Sequence, residues 1–111
     1  MHADLIIVGA GMVGSALALA LKDSGLNILL LDSGGLTVKP FDPQSAFEPR
    51  VSALSMASQR ILERVGAWDG ILARRSSPYA QMQVWDGSGT GNIHFAASSV
   101  HADLLGHIVE N

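Results

Sequence analysis

A strand-like apolar run that feeds directly into a glycine turn and then a helix is the feature that most limits how this chain can fold. Asp4-Leu-Ile-Ile-Val8 is short and β-branched, as expected for a strand buried on both faces of a parallel sheet. Gly9-Ala-Gly-Met-Val-Gly14 follows with no spacer. Met12 to Ser24 then reads as a helix of Ala, Leu and Val, closed by Gly25, a residue suited to a left-handed cap. Asn27-Ile-Leu-Leu-Leu-Asp32 is a second buried strand that ends on an acid.

Strand, glycine turn, helix, strand and acid, in that order, are the parts of a dinucleotide-binding βαβ unit. Gly9 permits a tight turn out of the strand, Gly11 lets a pyrophosphate approach the backbone, and Gly14 lets the helix pack close to the sheet. The helix N-terminus offers unpaired N–H groups and partial positive charge to phosphate oxygens. Asp32 stands 23 residues after Gly9, where a carboxylate can accept hydrogen bonds from ribose hydroxyls. The cofactor-binding set is therefore Gly9, Ala10, Gly11, Met12, Val13 and Gly14 in the turn, with Asp32 and Ser33 after the second strand. A carboxylate at position 32 repels a 2′-phosphate, which disfavours NADP at this site but does not separate NAD from FAD.

A membrane or export segment is the competing reading of the same run. The stretch Met1-His2-Ala3-Asp4 carries an acid where a signal peptide carries a base, and no cleavage pattern follows. A spanning helix needs about 20 apolar residues, and three glycines interrupt this shorter one. The helix has almost no polar face, so it should be covered on more than one side, by something this sequence does not contain. Composition points the same way. Of the 111 residues 48% are hydrophobic and only 15% charged, where about a quarter charged is usual. With a net charge of −3 there is no footprint for nucleic acid. The absence of cysteine removes disulfides, thiolate metal sites and a cysteine nucleophile.

Further along, Ser33 to Pro49 reads as a loop, rich in Gly and Pro. Arg50-Val-Ser-Ala-Leu-Ser55 alternates briefly. Ser55 can cap a helix from Met56 to Val65 that Gly66 stops, and Trp68 to Ala73 suits one further turn or two. Met82–Asp86 and Asn92–Ala96 suit two strands of a hairpin. The intervening Gly87-Ser-Gly-Thr-Gly91 is a turn and not a second phosphate cradle, because no helix follows it. Leu104 to Asn111 looks like a strand. His2, His94, His101 and His107 match no local metal-ligand spacing, and no serine sits in a nucleophile elbow. No catalytic side chain and no metal site are assigned, so any reaction must come from a cofactor.

Three segments carry a resemblance: Arg50-Val-Ser-Ala-Leu-Ser-Met-Ala-Ser-Gln-Arg-Ile-Leu-Glu-Arg-Val-Gly-Ala-Trp68, Val84-Trp-Asp86 and Leu105-Gly-His-Ile-Val-Glu-Asn111. With the glycine motif they resemble the ubiquinone-biosynthesis hydroxylases, FAD-dependent aromatic monooxygenases related to para-hydroxybenzoate hydroxylase. The resemblance implies FAD over Gly9, Gly11 and Gly14 with its ribose on Asp32. It puts Arg50 near the FAD phosphates and flavin edge, Val51, Ser52, Ala53 and Leu54 along the isoalloxazine, and His107 at the ribityl chain. It implies NAD(P)H as reductant, O2 as oxidant and a polyprenylated aromatic ring as substrate.

The implied fold class is α/β: a Rossmann-like FAD-binding portion over residues 1–80, the start of a substrate-domain sheet over 81–97, and a return to the FAD domain over 98–111. Members of the family run to several hundred residues, so the chain is expected to be an N-terminal portion, inactive alone, whose partner is the remainder of the parent chain. A cytoplasmic location follows from the lack of a transit peptide, and a polyprenyl substrate implies work at the inner-membrane surface or within a biosynthetic complex. Two alternatives stay open: an NAD-dependent dehydrogenase module, and a nucleotide-binding module without catalytic activity.

Overall fold

A computed structural model describes residues 2–35 and 37–111. Met1, in the stretch read against a signal peptide, and Leu36, in the loop expected over Ser33–Pro49, lie outside the described residues. Strand β1 (Leu5–Val8), helix α1 (Met12–Ala20) and strand β2 (Ile28–Leu31) form the expected unit. β1 and β2 pair in parallel, Leu5 beside Ile28 and Val8 beside Leu31. Asp4 fastens the start of the pair, its carboxylate accepting the backbone N–H and side-chain amide of Asn27 at 2.9 and 3.1 Å. α1 ends earlier than Ser24. Beyond Leu21 the backbone tightens to three-residue turns, Lys22 N–H to Leu19 and Ser24 N–H to Leu21, as Lys22, Asp23 and Ser24 bring no apolar side chain to bury.

Val51–Ser55 is β3, followed by α2 (Met56–Arg64) and α3 (Trp68–Leu72). Ser55 caps α2 as its position suggested, its hydroxyl accepting the Ser58 N–H at 3.2 Å. β4 (Ser76–Tyr79) had no sequence signal: two serines and a proline give no apolar alternation. It pairs antiparallel with β7 (Gly106–Glu110), which also pairs antiparallel with β3, giving the order β3-β7-β4. β4 is thus an edge strand, where the missing N–H of Pro78 does no harm.

β5 (Gln81–Trp85) and β6 (Asn92–Ala96) make the expected hairpin, closed by Asp86 N–H to the Gly91 carbonyl at 2.8 Å. Its alternation is clean, Met82 and Val84 facing Phe95 and Ile93 across the pair while Gln83 faces His94. A short 3-10 turn, Ala97–Val100, then carries the chain back toward β7.

The core is small. Ile7, Trp68, Ala97 and Val109 are its buried apolar residues, and no residue of α1 is fully buried. The expectation that β1 is buried on both faces is therefore not met: Ile7 faces α1, but Ile6 and Val8 are exposed, because a two-stranded sheet with one helix has only one covered face. The accessible surface is 8571 Å², against about 5,800 Å² for a free-standing monomer of this mass. The radius of gyration is 17.6 Å, against about 13 Å for a closed domain of this length. No helix among the described residues is long and apolar enough to cross a membrane.

Candidate functional site

The site grows from the exit of β1. Gly9 turns the chain with φ +101, in the left-handed half of backbone space where only glycine sits without strain. Its N–H still donates to the Leu31 carbonyl at 2.7 Å, so the turn leaves the sheet while tied to β2. Gly14, in the first turn of α1, lies so near this turn that an added Cβ would stand 1.9 Å from the Gly9 carbonyl oxygen and 3.4 Å from Ile7 Cγ2. Gly11 caps α1 with no side-chain bond, and a Cβ there would meet nothing within 4 Å. One glycine is thus demanded by packing, while the other fronts open space. The first N–H groups of α1 have no carbonyl behind them and point toward that space.

Asp32 follows β2 and locks the turn. Its carboxylate accepts the Ala10 N–H at 2.7 Å through Oδ2 and the Gly34 N–H at 2.7 Å through Oδ1. Ser15 completes the hold on Ala10 by donating its hydroxyl to the Ala10 carbonyl at 2.9 Å. The Ala10 N–H is therefore committed to Asp32, and the donors facing outward are those of the α1 N-terminus. A carboxylate has about four acceptor positions, so two remain for hydroxyl donors. Ser33 follows in an exposed turn.

The two backbone bonds, Ala10 first and Gly34 second, hold the Asp32 carboxyl below the ordinary aspartate value. A depressed folded-state value stabilises the fold above the unfolded value, and that contribution is lost as pH falls through the folded one. Acid should therefore loosen the glycine turn before β1 and β2 separate. In an amide-resolved acid titration the Ala10 and Gly34 signals should move together, with a midpoint below the ordinary aspartate value. A midpoint at or above that value would contradict the geometry, and Asp32→Asn should remove the step.

The remaining expected residues are spread along β3 and β7. Leu54 meets Met12 and Val13 in one apolar groove of about 440 Å³, completed by residues such as Ala16, Ile61 and Ile71. Val51 opens β3 at its other end and Arg50 just precedes it, about 10 and 13 Å from Leu54 at 3.3 Å per residue, and Arg50 is exposed. Ser52 donates its hydroxyl to Asn111 Oδ1. His107 sits across from Leu54 and Pro78, its ring meeting Trp68 edge-on at 5.1 Å and 77°. Its Nδ1 is buried with no partner among the described residues. The glycine turn and Asp32 are thus joined directly, Leu54 reaches the same end with His107 as its cross-strand partner, and Arg50 lies at the far end of β3.

Over 108 residues the chain is 37% identical to a 3-demethoxyubiquinol 3-hydroxylase of Escherichia coli, an alignment covering 97% of this chain and 27% of that protein. The mitochondrial ubiquinone biosynthesis monooxygenase COQ6 of Xenopus tropicalis is 44% identical over 97% of this chain and 24% of its own length. The ubiquinone hydroxylase UbiL of Rhodospirillum rubrum is 34% identical over 98% and 24%. The chain is a relative of the ubiquinone-biosynthesis hydroxylases. It spans about a quarter of the length of the curated relatives it matches. No protein-family model matches the chain. The similarity to these hydroxylases covers the glycine turn, Asp32, β3 and β7 alike, since it runs over nearly all of the chain.

Arg75 is the notable residue that the sequence did not single out. It reaches back to the connection between β2 and β3, more than 25 positions away, and no local pattern announces such a contact.

Proposed function

We infer that this chain is the FAD-binding portion of a flavin-dependent monooxygenase that hydroxylates the aromatic ring of a polyprenylated ubiquinone precursor, with NAD(P)H and O2 as co-substrates. The observation that carries the reading is the locked glycine turn. Gly11 leaves room for a pyrophosphate, the α1 N-terminus supplies its donors, and Asp32 keeps acceptor capacity for a ribose. These residues fit the dinucleotide half of FAD, and the names of the relatives support the reaction class.

When bound, the flavin supplies the redox and oxygen chemistry, and the chain's own residues bind and orient it. Gly9 to Gly14 receive the phosphates, with Met12 and Val13 contributing backbone N–H groups. Asp32 and Ser33 flank the ribose. Arg50 brings a cation to the phosphates or the flavin edge, and Val51 to Leu54 lie along the ring. His107 serves the ribityl chain.

Residues 1–80 serve the cofactor, 81–97 begin the substrate-domain sheet and 98–111 return to the cofactor portion. The apolar face of the β5–β6 hairpin and the open faces of α1 and β1 suit cover by the remainder of a parent protein. A Rossmann-like cofactor domain working in the cytoplasm at the inner-membrane surface, alone or in a biosynthetic complex, is consistent with a polyprenyl substrate.

The test is the intact mass and visible absorbance of the protein expressed from its full gene. A mass well above that of 111 residues, with flavin bands that survive gel filtration, is the expected result. Binding of NAD without flavin would replace this reading with a dehydrogenase module. Binding of neither would leave a non-catalytic module.

A further inference from the structure

Among its described residues the connection from β2 to β3 has no helix or strand of its own, and those from Thr37 to Arg50 are exposed. It is nevertheless wrapped around one side chain. Arg75, just before β4, donates through Nη1 to the Ala46 carbonyl at 3.2 Å and to Glu110 Oε1 at 3.2 Å. Its Nη2 meets the carbonyls of Pro43 at 3.0 Å, Asp42 at 3.4 Å and Ser45. The guanidinium carbon lies 4.4 Å from the centre of the Phe47 ring and 5.8 Å from that of Phe41. A planar cation with several in-plane donors and two stackable faces can make this set of contacts, and a lysine ammonium cannot. The Arg75 and Glu110 side chains are only 16% and 20% exposed.

The hold continues to Arg50. Glu110 Oε1 also accepts the Glu48 N–H at 3.0 Å, and the Asn111 N–H donates to the Arg50 carbonyl at 3.1 Å. The backbone is thus gripped at position 48 by the residue that Arg75 holds, and at position 50 by Asn111, just after β7. We propose that Arg75 is a positioning residue: paired with Glu110, it clamps the Phe41–Glu48 segment so that Arg50 leads into β3 in one backbone geometry, its exposed guanidinium held ready for an anionic ligand. The identity of that ligand rests on the FAD reading above; the clamp does not.

The test uses the intact protein expressed from its gene, as wild type, Arg75→Lys, Glu110→Gln, Arg50→Gln and the Arg75→Lys/Arg50→Gln double variant. Chymotryptic cleavage after Phe47 reads the clamp. The FAD dissociation constant and the visible circular dichroism of bound flavin read its consequence. Arg75→Lys keeps the charge and loses the planar fork, so cleavage should accelerate and FAD should bind about tenfold more weakly, with an altered flavin signal. Glu110→Gln should act in the same direction, and supplies the readout if Arg75→Lys does not fold.

Arg50→Gln should weaken FAD while leaving cleavage slow. The double variant should bind no more weakly than Arg50→Gln alone, because Arg75 acts through Arg50. Unchanged cleavage in both Arg75→Lys and Glu110→Gln overturns the proposal. So do additive losses in the double variant, or an open segment with wild-type FAD affinity. Faster cleavage in a protein whose wild type binds no FAD supports the clamp and removes the flavin reading instead.

Discussion

Gly14→Ala is expected to destabilise the protein by about 3 kcal/mol, the upper part of the range for forcing extra atoms into a packed contact. The new methyl would sit 1.9 Å from the Gly9 carbonyl oxygen, and both partners belong to the backbone, so no rotamer change relieves the overlap. Either α1 lifts from β1 or the turn at Gly9 moves. Gly9 already occupies φ +101, and its N–H is held by Leu31. The urea midpoint should fall, and cofactor binding with it. Gly11→Ala is the companion measurement. Its methyl meets nothing within 4 Å, so stability should change by no more than about 1 kcal/mol while a pyrophosphate at that position is obstructed. If both variants had the same urea midpoint as the wild type, the close approach of α1 to the turn would be wrong.

A loss of similar size, about 3 kcal/mol, should follow Gly106→Ala in the second sheet. An added Cβ there would lie 2.0 Å from the Leu54 carbonyl oxygen and 3.2 Å from the Tyr79 hydroxyl. Gly106 is the buried first residue of β7, paired with Ser55 on one side and Tyr79 on the other. Displacing it strains both pairings and the cap that Ser55 gives α2. Chemical denaturation again reads the effect. Amide exchange shows where it falls: protection in β3, β4 and β7 should drop first, with β1 and β2 less affected. Uniform loss across both sheets would mean that they unfold as a single unit. Unchanged protection in β3, β4 and β7 would refute the contact itself.

Legibility differed by element for physical reasons. The β1–α1–β2 unit was readable because a strand, a glycine turn and a helix are consecutive, and their geometry depends on residues a few positions apart. The α2 cap was readable likewise, Ser55 and Ser58 being three residues apart. The β5–β6 hairpin was readable from alternation on either side of a glycine cluster. β4 was not, since Ser76, Ser77 and Pro78 become a strand only because β7 offers them a ladder. The site divides in the same way. Gly9, Gly11, Gly14 and Asp32 were nameable from spacing, but that Asp32 would take up the Ala10 N–H was not, because a carboxylate at a strand end has many available donors.

By itself, the amino-acid sequence determined that a glycine turn joins a strand to an apolar helix, that an acid closes the next strand, and that these 111 residues contain no cysteine. All three depend on local order and on residue identity, which are the same in any fold. Only the tertiary structure decided that β7 returns between β3 and β4, that one guanidinium gathers the connection from Asp42 to Ala46, and that β1 has a single covered face. Those outcomes depend on which distant surfaces meet. Meeting is settled by the balance of burial against chain entropy over the whole chain, a sum that no short window of residues contains.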